Sequence, residues 1–323
     1  MSNPQMPYRR LGACGTQVSA LSLGGWTTYG GSIKEDRQVR DILYAAFEAG
    51  VNFFDMADVY ARGACEEIMG KVMADLPRHE LVISSKVFMP MSDDVNDCGL
   101  SRKHIMESID KSLQRSGLDY FDIYFCHRYD LETPLEETIR AMDDLVHQGK
   151  VLYWGTSMWS AEQLLEAHQL CDQRNLYRPQ VEQPQYSLLA RDRIEHEMRG
   201  AVEDTGMGMV IWSPLATGVL TGKYDQGIPE EARLANIEFL RERWYRDEIL
   251  EKVRAMKPLA DQLGCTRSQL ALAWAMAQPA VSSVIMGATS LAQLNENLGA
   301  RDVAISPEVA QQLDELFPAA PPS

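Results

Sequence analysis

The stretch 81–127 reads LVISSKVFMPMSDDVNDCGLSRKHIMESIDKSLQRSGLDYFDIYFCH, and it decides the fold. Its two ends are short apolar runs, which predict buried strands. Between them, Ile105 and Ile109 recur at helical spacing, Ser101 stands in the position of an N-cap, and Gly117 ends the pattern. A strand, a helix and a second strand in this order predict a βαβ unit with parallel strands.

The same alternation of apolar runs and amphipathic segments continues along the chain. The predicted strands are Leu21–Leu23, Asn52–Asp55, Leu81–Lys86, Ile123–His127, Tyr153–Thr156, Gln180–Gln183, Met209–Ser213 and Ser283–Met286. Several are too apolar for a sheet with one wet face, so eight strand–helix units favour a closed (β/α)8 TIM barrel of the α/β class. We expect one domain over residues 1–323, with an N-terminal β-hairpin over Tyr8–Ala20 and an extra C-terminal helix from Pro307 to Phe317.

Two stretches interrupt this alternation. Residues 87–100 and 214–243 are predicted as long loops, and loops of this length usually have a function. The second loop contains Lys223 and Arg233, which are candidate clamps for a pyrophosphate or an adenosine 2′-phosphate. The run RERWYRD (241–247) is predicted as a solvated helix face. Elsewhere, the order Thr133-Pro134-Leu135-Glu136 predicts a helix start with a threonine cap and a capping-box glutamate.

Composition excludes several classes of partner. The formal net charge of −15 argues against nucleic acid and anionic membranes. The six cysteines are scattered, with no C-x-x-C pair, which argues against a metal site or a disulfide framework. The N-terminal run MSNPQMPYRR has no apolar stretch typical of a signal peptide, and no run is long enough to span a membrane. We therefore expect a soluble cytoplasmic protein without a metal.

Polar residues stand at the ends of three consecutive predicted strands that are otherwise apolar. Asp55 ends the second strand, Lys86 the third and His127 the fourth, while Tyr60 follows five residues after Asp55. The active site of a β/α barrel lies at the C-terminal ends of its strands. We therefore expect these four side chains to converge at one mouth of the barrel.

These four residue types suit the delivery of a proton to a carbonyl oxygen. The phenol of a tyrosine has a pKa of about 10 and is a weak acid at neutral pH. We expect the Lys86 ammonium to lower the pKa of Tyr60, and Asp55 to keep Lys86 charged. His127 is expected to hydrogen-bond the substrate carbonyl. None of these groups supplies electrons, so a cofactor must donate the hydride.

The other strand ends predict a cradle for a nicotinamide cofactor. Ser157 and Gln183 can hydrogen-bond a carboxamide, and Trp212 offers a flat ring for stacking. Residues 287–290 precede a helix predicted to begin near Leu291. A helix N-terminus binds anions readily, and barrels commonly bind phosphate after strands seven and eight.

Seven segments of the chain resemble the aldo-keto reductase superfamily. They are FFDMADVY (53–60), VISSKV (82–87), DIYFCHR (122–128), YWGTSMW (153–159), EQPQYSLL (182–189), WSPLATGVLTGKY (212–224) and MGATSLAQLNENLGA (286–300). The spacing of GLSRKHI (99–105), TPLEETIRAM (133–142) and TGKYDQGIP (221–229) is most similar to the voltage-gated potassium channel β-subunit branch. Bacterial glyceraldehyde-3-phosphate reductases are similar too. The likeness runs from about Tyr8 to Ala300.

The resemblance implies an NADPH-dependent enzyme that reduces small aldehydes or ketones to alcohols. It implies that Tyr60 is the proton donor, with Asp55, Lys86 and His127 as its partners. The implied cofactor contacts are Gly25, Trp26, Asp55, Ser157, Gln183, Trp212, Ser213, Pro214, Leu215, Ala216, Thr217, Lys223, Arg233, Gly287, Thr289, Gln293, Glu296 and Asn297. The channel-like branch also implies a homotetramer.

Three departures from the family pattern affect these implications. Gly287 and Gln293 stand where many members have a lysine and an arginine for the 2′-phosphate, so NADH stays open beside NADPH. Met158 stands where other members have asparagine or arginine, so one carboxamide contact is missing. His127 stands where the channel β-subunits usually have asparagine, and it matches the active reductases.

Three other interpretations stay open at this point. Asp55 and Lys86 alone are also compatible with a purely structural buried ion pair. A second interpretation is a regulatory subunit that senses NADPH and docks on a membrane channel. In a third, Lys86 is a Schiff-base nucleophile, which requires a neutral lysine without a carboxylate partner. Asp55 argues against that role.

Overall fold

The computed structural model describes residues 5–319 and contains a closed barrel of eight parallel strands. An antiparallel hairpin precedes it, formed by β1 (Tyr8–Arg10) and β2 (Gln17–Ser19). The barrel strands are β3 (Leu21–Gly24), β4 (Phe53–Asp55), β5 (Val82–Val87), β6 (Phe121–Cys126), β7 (Val151–Thr156), β8 (Val181–Glu182), β9 (Gly208–Ile211) and β10 (Val281–Met286). Each strand pairs with the next, and β10 pairs with β3 to close the ring. The predicted TIM barrel with an N-terminal hairpin is confirmed.

The helices that follow the strands cover the outside of the barrel. They are α1 (Asp36–Glu48), α2 (Ala64–Met73), α3 (Arg102–Ser116), α4 (Leu135–His147), α5 (Ala161–Arg174), α6 (Arg199–Thr205), α7 (Arg233–Asn236), α8 (Glu238–Trp244), α9 (Asp247–Gln262), α10 (Arg267–Met276), α11 (Leu291–Leu298) and α12 (Pro307–Leu316). The last is the predicted C-terminal helix. Within residues 5–319, every helix lacks the length or the apolar character that crossing a bilayer requires.

The barrel strands are apolar because both of their faces are buried. All six residues of β5 are buried, as are five of the six in β6. The inward-facing side chains include Phe53, Val82, Ile123, Phe125, Val181, Val210 and Ile285, which form one apolar cluster. The outward-facing side chains pack against the helices. This arrangement explains the nearly continuous apolar runs in the sequence.

The hairpin closes the barrel at the N-terminal ends of its strands. Leu11 and Val18 are fully buried and belong to the same apolar cluster as the barrel interior. Gly12 has a φ of +60°, and a Cβ atom there would lie 2.3 Å from the backbone nitrogen of Gly208, at the start of β9. Arg9 donates a hydrogen bond of 2.9 Å to the carbonyl of Val281, where β10 begins.

Local predictions had mixed outcomes. Ser101 caps α3 as expected, because its hydroxyl accepts a hydrogen bond from the backbone N–H of His104. The predicted cap at Thr133 is wrong: α4 begins after Pro134 without a side-chain cap, and the Thr133 hydroxyl donates to Asp130 instead.

The segment 214–243 is not a continuous loop, because it contains α7 and most of α8. The run 241–247 is not a fully solvated face either. Trp244, in its centre, is buried, and Arg243 donates to the side chain of Gln185.

Candidate active site

Three neighbouring strands bring the predicted polar residues to one end of the barrel. Asp55 is the last residue of β4, Lys86 lies near the end of β5, and His127 follows β6 directly. The register places Asp55 beside Ser84, two residues before Lys86. These are the C-terminal ends of the strands, where barrels place their active sites.

The ammonium group of Lys86 has three hydrogen-bond partners and no exposure to solvent. It donates to Oδ2 of Asp55 at 2.7 Å, to the backbone carbonyl of Met56 at 2.6 Å and to the hydroxyl of Tyr60 at 3.0 Å. An ammonium has three donors, so all of them are used. A buried cation is tolerated only when it is paired in this way.

Asp55 connects this group to the opposite side of the barrel. Its second oxygen, Oδ1, accepts hydrogen bonds from Ser84 Oγ at 2.8 Å and from Gln183 Nε2 at 2.9 Å. Gln183, predicted to bind a carboxamide, therefore already donates to Asp55. The hydroxyl of Ser157 donates to the backbone carbonyl of Gln183 at 2.8 Å.

Tyr60 lies on a turn with an unusual backbone. Ala61 and Arg62 have φ values of 50° and 53°, and Gly63 follows at 92°. Such left-handed conformations are uncommon outside glycine and often mark functional sites. The Tyr60 and His127 rings meet edge to face, with centroids 5.9 Å apart.

The expected lowering of the Tyr60 pKa is wrong. Burial, reinforced by the nearby Asp55 carboxylate, holds the pKa of Tyr60 well above its usual value. Burial is the largest of these effects, so it decides the direction of the shift. Burial, together with the positive charges of Lys86 and Arg128, also lowers the pKa of His127 well below its usual value. At neutral pH, Tyr60 therefore carries its proton and His127 is neutral.

A second buried acid lies beside this group, and within residues 5–319 it pairs with no cation. Asp58 is fully buried, and one of its oxygens lies 3.3 Å from the hydroxyl of Ser108, which in turn accepts from Tyr124. Burial and the nearby Glu66 carboxylate raise the pKa of Asp58 to about 8. Glu66 differs because Arg115 pairs with it at 2.6 Å.

A cavity of about 1330 Å³ begins at Tyr60 and His127 and extends across the barrel mouth. Its wall contains most of the predicted cofactor contacts, namely Trp26, Asp55, Ser157, Gln183, Trp212, Ser213, Pro214, Leu215, Thr217, Lys223, Arg233, Gly287, Thr289, Gln293, Glu296 and Asn297. Gly25, Ala216 and Lys86 lie behind this wall: Gly25 packs against Cys65, and the other two side chains are fully buried.

The far end of the cavity contains two basic side chains. The guanidinium of Arg233 lies over the ring of Trp26, and the ammonium of Lys223 lies over the ring of Tyr224. Neither forms an ion pair with a carboxylate of residues 5–319. Burial and the charge of Arg233 lower the pKa of Lys223. Within residues 5–319, the charges of Lys223 and Arg233 are therefore not neutralised by a carboxylate.

The N-terminus of α11 borders the same end. The Ser290 hydroxyl caps the helix by accepting from the backbone N–H of Gln293. The Gln293 side chain accepts from both the backbone and the hydroxyl of Thr289 at 2.9 Å. Asn297 donates to the carbonyl of Gly287. These contacts fix the turn that the sequence predicted as an anion site.

Comparison with known proteins places the chain in a family. The model of the Aldo/keto reductase family matches residues 20–317. The chain belongs to the aldo/keto reductase family. It is 45% identical over 323 residues to the probable voltage-gated potassium channel subunit beta of Arabidopsis thaliana, which covers 98% of both proteins. The protein of that name from Oryza sativa subsp. japonica gives the same identity and coverage. The putative voltage-gated potassium channel subunit beta of Schizosaccharomyces pombe is 41% identical over 97% of this chain and 93% of that protein.

Several residues that the structure of this aldo/keto reductase places at the site were not predicted from the sequence. Arg128, one residue after His127, lines the cavity. Asp58 and Glu66 are fully buried, and the charge of Asp58 acts on Tyr60. Arg128 could have been predicted as a site residue, because it directly follows a histidine at a strand end. Asp58 could not, because its burial depends on how α2 and α3 pack.

Proposed function

We propose that this aldo/keto reductase reduces small aldehydes or ketones to alcohols with NADPH, and that Tyr60 is the proton donor. The observation that carries the proposal is the buried contact of Lys86 Nζ with Asp55, Met56 and Tyr60. Lys86 donates to the phenol oxygen, so the hydrogen of Tyr60 is free to point elsewhere. Tyr60 borders the cavity, where a substrate carbonyl has room to bind.

Each of the four residues at the tyrosine end, namely Asp55, Tyr60, Lys86 and His127, has a separate role in one proton transfer. The raised pKa of Tyr60 keeps the phenol protonated until a carbonyl oxygen gains negative charge. Tyr60 then donates its proton, and the Lys86 ammonium at 3.0 Å stabilises the phenolate that remains. Asp55 holds Lys86 in place. The neutral imidazole of His127 has an N–H available to hydrogen-bond the carbonyl.

The cavity wall fits a nicotinamide dinucleotide. When bound, NADPH supplies the hydride. Lys223 and Arg233, which lack acidic partners in the described chain, suit the 2′-phosphate, and the capped start of α11 suits a phosphate group. Trp212 offers its ring to the nicotinamide. NADH is the alternative cofactor, and the ratio of kcat/KM for the two cofactors decides between them.

The decisive experiment compares the parent with Tyr60→Phe. NADPH absorbance is followed with methylglyoxal, glyceraldehyde 3-phosphate and an aromatic aldehyde. We expect Tyr60→Phe to lower kcat by about 10²- to 10⁴-fold, the usual contribution of a general acid. Tyr177→Phe is the matched control, because Tyr177 is exposed and lies on the outside of the barrel. A Tyr60→Phe rate equal to that of the parent would remove Tyr60 from the mechanism.

A second candidate function is a cofactor-binding regulatory subunit. It is favoured by the names of the relatives, each a probable or putative voltage-gated potassium channel subunit beta. A chain with this role would bind NADPH but turn over no carbonyl at a steady rate. The same absorbance assay, run over many turnovers, separates the two functions.

We further propose a cytoplasmic location, one domain over residues 1–323 and a homotetramer. The support for the tetramer is the similarity to the channel β-subunit branch. Light scattering of the purified chain measures its mass directly, and a mass of one chain would exclude the tetramer. A single unfolding transition would support the single domain.

A further inference from the structure

Arg128 presents an unneutralised charge to the cavity beside Tyr60. It follows His127 at the end of β6 and lies on the cavity wall. One of its nitrogens, Nη1, donates to the backbone carbonyl of His127 and lies 3.4 Å from the hydroxyl of Ser157. Both partners are neutral. Across residues 5–319, no carboxylate oxygen comes within 4.0 Å of its nitrogens.

Four other arginines with little exposure have a carboxylate partner. Arg115 pairs with Glu66 at 2.6 Å, and Arg78 pairs with Asp122 at 2.7 Å. Arg191 pairs with Glu195, and Arg267 pairs with Asp225, each at 2.7 Å. Removing a guanidinium from water is costly unless a counter-charge replaces the water. Arg128 incurs this cost at the cavity wall, where an anionic ligand can offset it.

The buried acid that attracts Arg128 is already engaged elsewhere. Glu182 attracts Arg128 at long range, but its two oxygens accept from the Thr156 hydroxyl and from the backbone N–H of Trp159. It is fully buried behind the cavity wall. The guanidinium of Arg128 therefore keeps donors for a molecule in the cavity. A guanidinium suits carboxylate and phosphate oxygens, because its donors lie in one plane as a fork.

The position of Arg128 relative to the reacting atoms limits the size of such a molecule. Arg128 directly follows His127, whose ring lies 5.9 Å from that of Tyr60, and all three residues line the same cavity. A substrate whose carbonyl oxygen reaches Tyr60 therefore has its substituents near Arg128. We propose that Arg128 binds an anionic substituent of the substrate, so that this reductase prefers small aldehydes or ketones carrying a carboxylate or a phosphate. This proposal rests on the reductase function proposed above.

The test uses pairs of substrates that differ in charge but not greatly in shape. One pair is 4-carboxybenzaldehyde and 4-nitrobenzaldehyde; the other is glyceraldehyde 3-phosphate and glyceraldehyde. For Arg128→Met, we expect KM of the anionic member of at least one pair to rise about 10- to 100-fold, the range for a hydrogen bond to a charged group. The kinetic constants of the neutral members should change less than threefold. The pair that responds identifies the anionic group as carboxylate or phosphate.

Two variants and one titration serve as controls. Arg128→Lys keeps the charge and should restore part of the affinity for the anionic substrate. Arg246→Met removes an exposed charge that pairs with Glu248 on the outside of the barrel. This variant should leave the kinetic constants of both substrate pairs unchanged. An unchanged Kd for NADPH, measured by tryptophan fluorescence, shows that Arg128→Met is folded.

The possible failures are distinguishable. If Arg128→Met lowered kcat/KM equally for neutral and anionic substrates, the proposal would be overturned, and Arg128 would act through Tyr60 alone. A parent without preference for either anionic substrate would overturn it as well. If the parent reduces no carbonyl at all, the reductase function itself fails. If Tyr60→Phe abolishes turnover while Arg128→Met changes nothing, only the substrate preference is wrong.

Discussion

The two ends of the cavity differ in whether the protein itself neutralises their positive charges. At the tyrosine end, formed by Asp55, Tyr60, Lys86 and His127, the cation is enclosed by acceptors from the protein itself. At the cationic end, formed by Lys223 and Arg233, two cations lie without an acidic partner in the described chain. A group that moves a proton needs a fixed internal counter-charge, whereas a group that binds an anion leaves that charge to the ligand.

The backbone differs between the two ends as well. At the tyrosine end, Asp55, Lys86 and His127 lie at or beside the ends of buried strands, and only Tyr60 lies on a turn with left-handed residues. The cationic end lies on the segment after β9, where Ser213, Ala216 and Thr217 all have positive φ values. Loops that bind ligands are generally less stable than the barrel strands that support them. Substitutions at the tyrosine end should therefore lower both rate and stability, while those at the cationic end should lower affinity alone.

The largest effect should come from Lys86→Met. This variant removes the cation that stabilises the phenolate, so kcat should fall by about 10³-fold or more, near the upper part of the range for acid catalysis. It also leaves Asp55 as a buried carboxylate without its cation, which should cost about 3–5 kcal/mol of the free energy of unfolding. Stopped-flow or steady-state kinetics and urea unfolding measure the two losses.

A double variant separates these two losses. Asp55→Asn combined with Lys86→Met removes both charges and should recover most of the lost stability, but none of the activity. Lys257→Met is the control, because its pair with Asp261 is exposed and worth at most about 1 kcal/mol. Recovery of activity in the double variant would mean that the charge of Lys86 has no part in catalysis.

A smaller effect is expected at the cationic end. Lys223→Ala and Arg233→Ala should each raise the Kd of NADPH about 10- to 100-fold, as expected for the loss of one charged hydrogen bond. The Kd of NADH should change much less, and kcat at saturating NADPH should stay the same. Fluorescence titration with both dinucleotides checks this. Equal weakening for the two dinucleotides would assign these residues to the pyrophosphate rather than the 2′-phosphate.

A pH-dependent effect on stability is expected at Asp58, the buried acid at the tyrosine end that pairs with no cation within residues 5–319. Its folded-state pKa of about 8 lies above the value of about 4 in an unfolded chain, so the folded state keeps a proton that the unfolded state loses. Its contribution to stability is complete below about pH 4 and is lost as the pH rises to 8. Asp58→Asn, which mimics the protonated acid, should therefore gain relative stability with rising pH, by at most about 1.4 kcal/mol per pH unit.

Urea unfolding of both proteins at pH 5, 6, 7 and 8 gives this difference directly. Other buried groups, such as Glu182 with its pKa raised to about 7, cancel because both proteins contain them. For Asp261→Asn, on an exposed helix face, the difference in free energy of unfolding from the parent should not change with pH. If the stability difference between Asp58→Asn and the parent did not change with pH, Asp58 would keep its charge in the folded protein.

The strand ends were predictable from sequence because periodicity and position suffice there. The barrel rule turns three isolated polar residues, Asp55, Lys86 and His127, into neighbours. The predicted strand bounds differ from the observed ones by at most two residues. Gln183 and Trp212 follow their strands instead of lying within them. Such errors move no side chain away from the barrel mouth.

The burial and the pKa values of these side chains could not be predicted from the sequence. Whether Lys86 lowers the pKa of Tyr60 depends on the depth of burial and on the distance of Asp55, which no sequence pattern contains. The same holds for Asp58, whose burial arises from helix packing. The helices within 214–243 were missed because they are short, α7 having four residues, and carry little periodicity.

The N-terminal hairpin has a consequence for how this barrel can change over time. Leu11 and Val18 are buried at its base, whereas the cavity opens at the rim that holds Tyr60. Mutations at the base therefore act on the lifetime of the folded chain, and mutations at the rim act on which molecules it converts. The two properties can drift separately, which leaves a stable scaffold free to acquire new substrates.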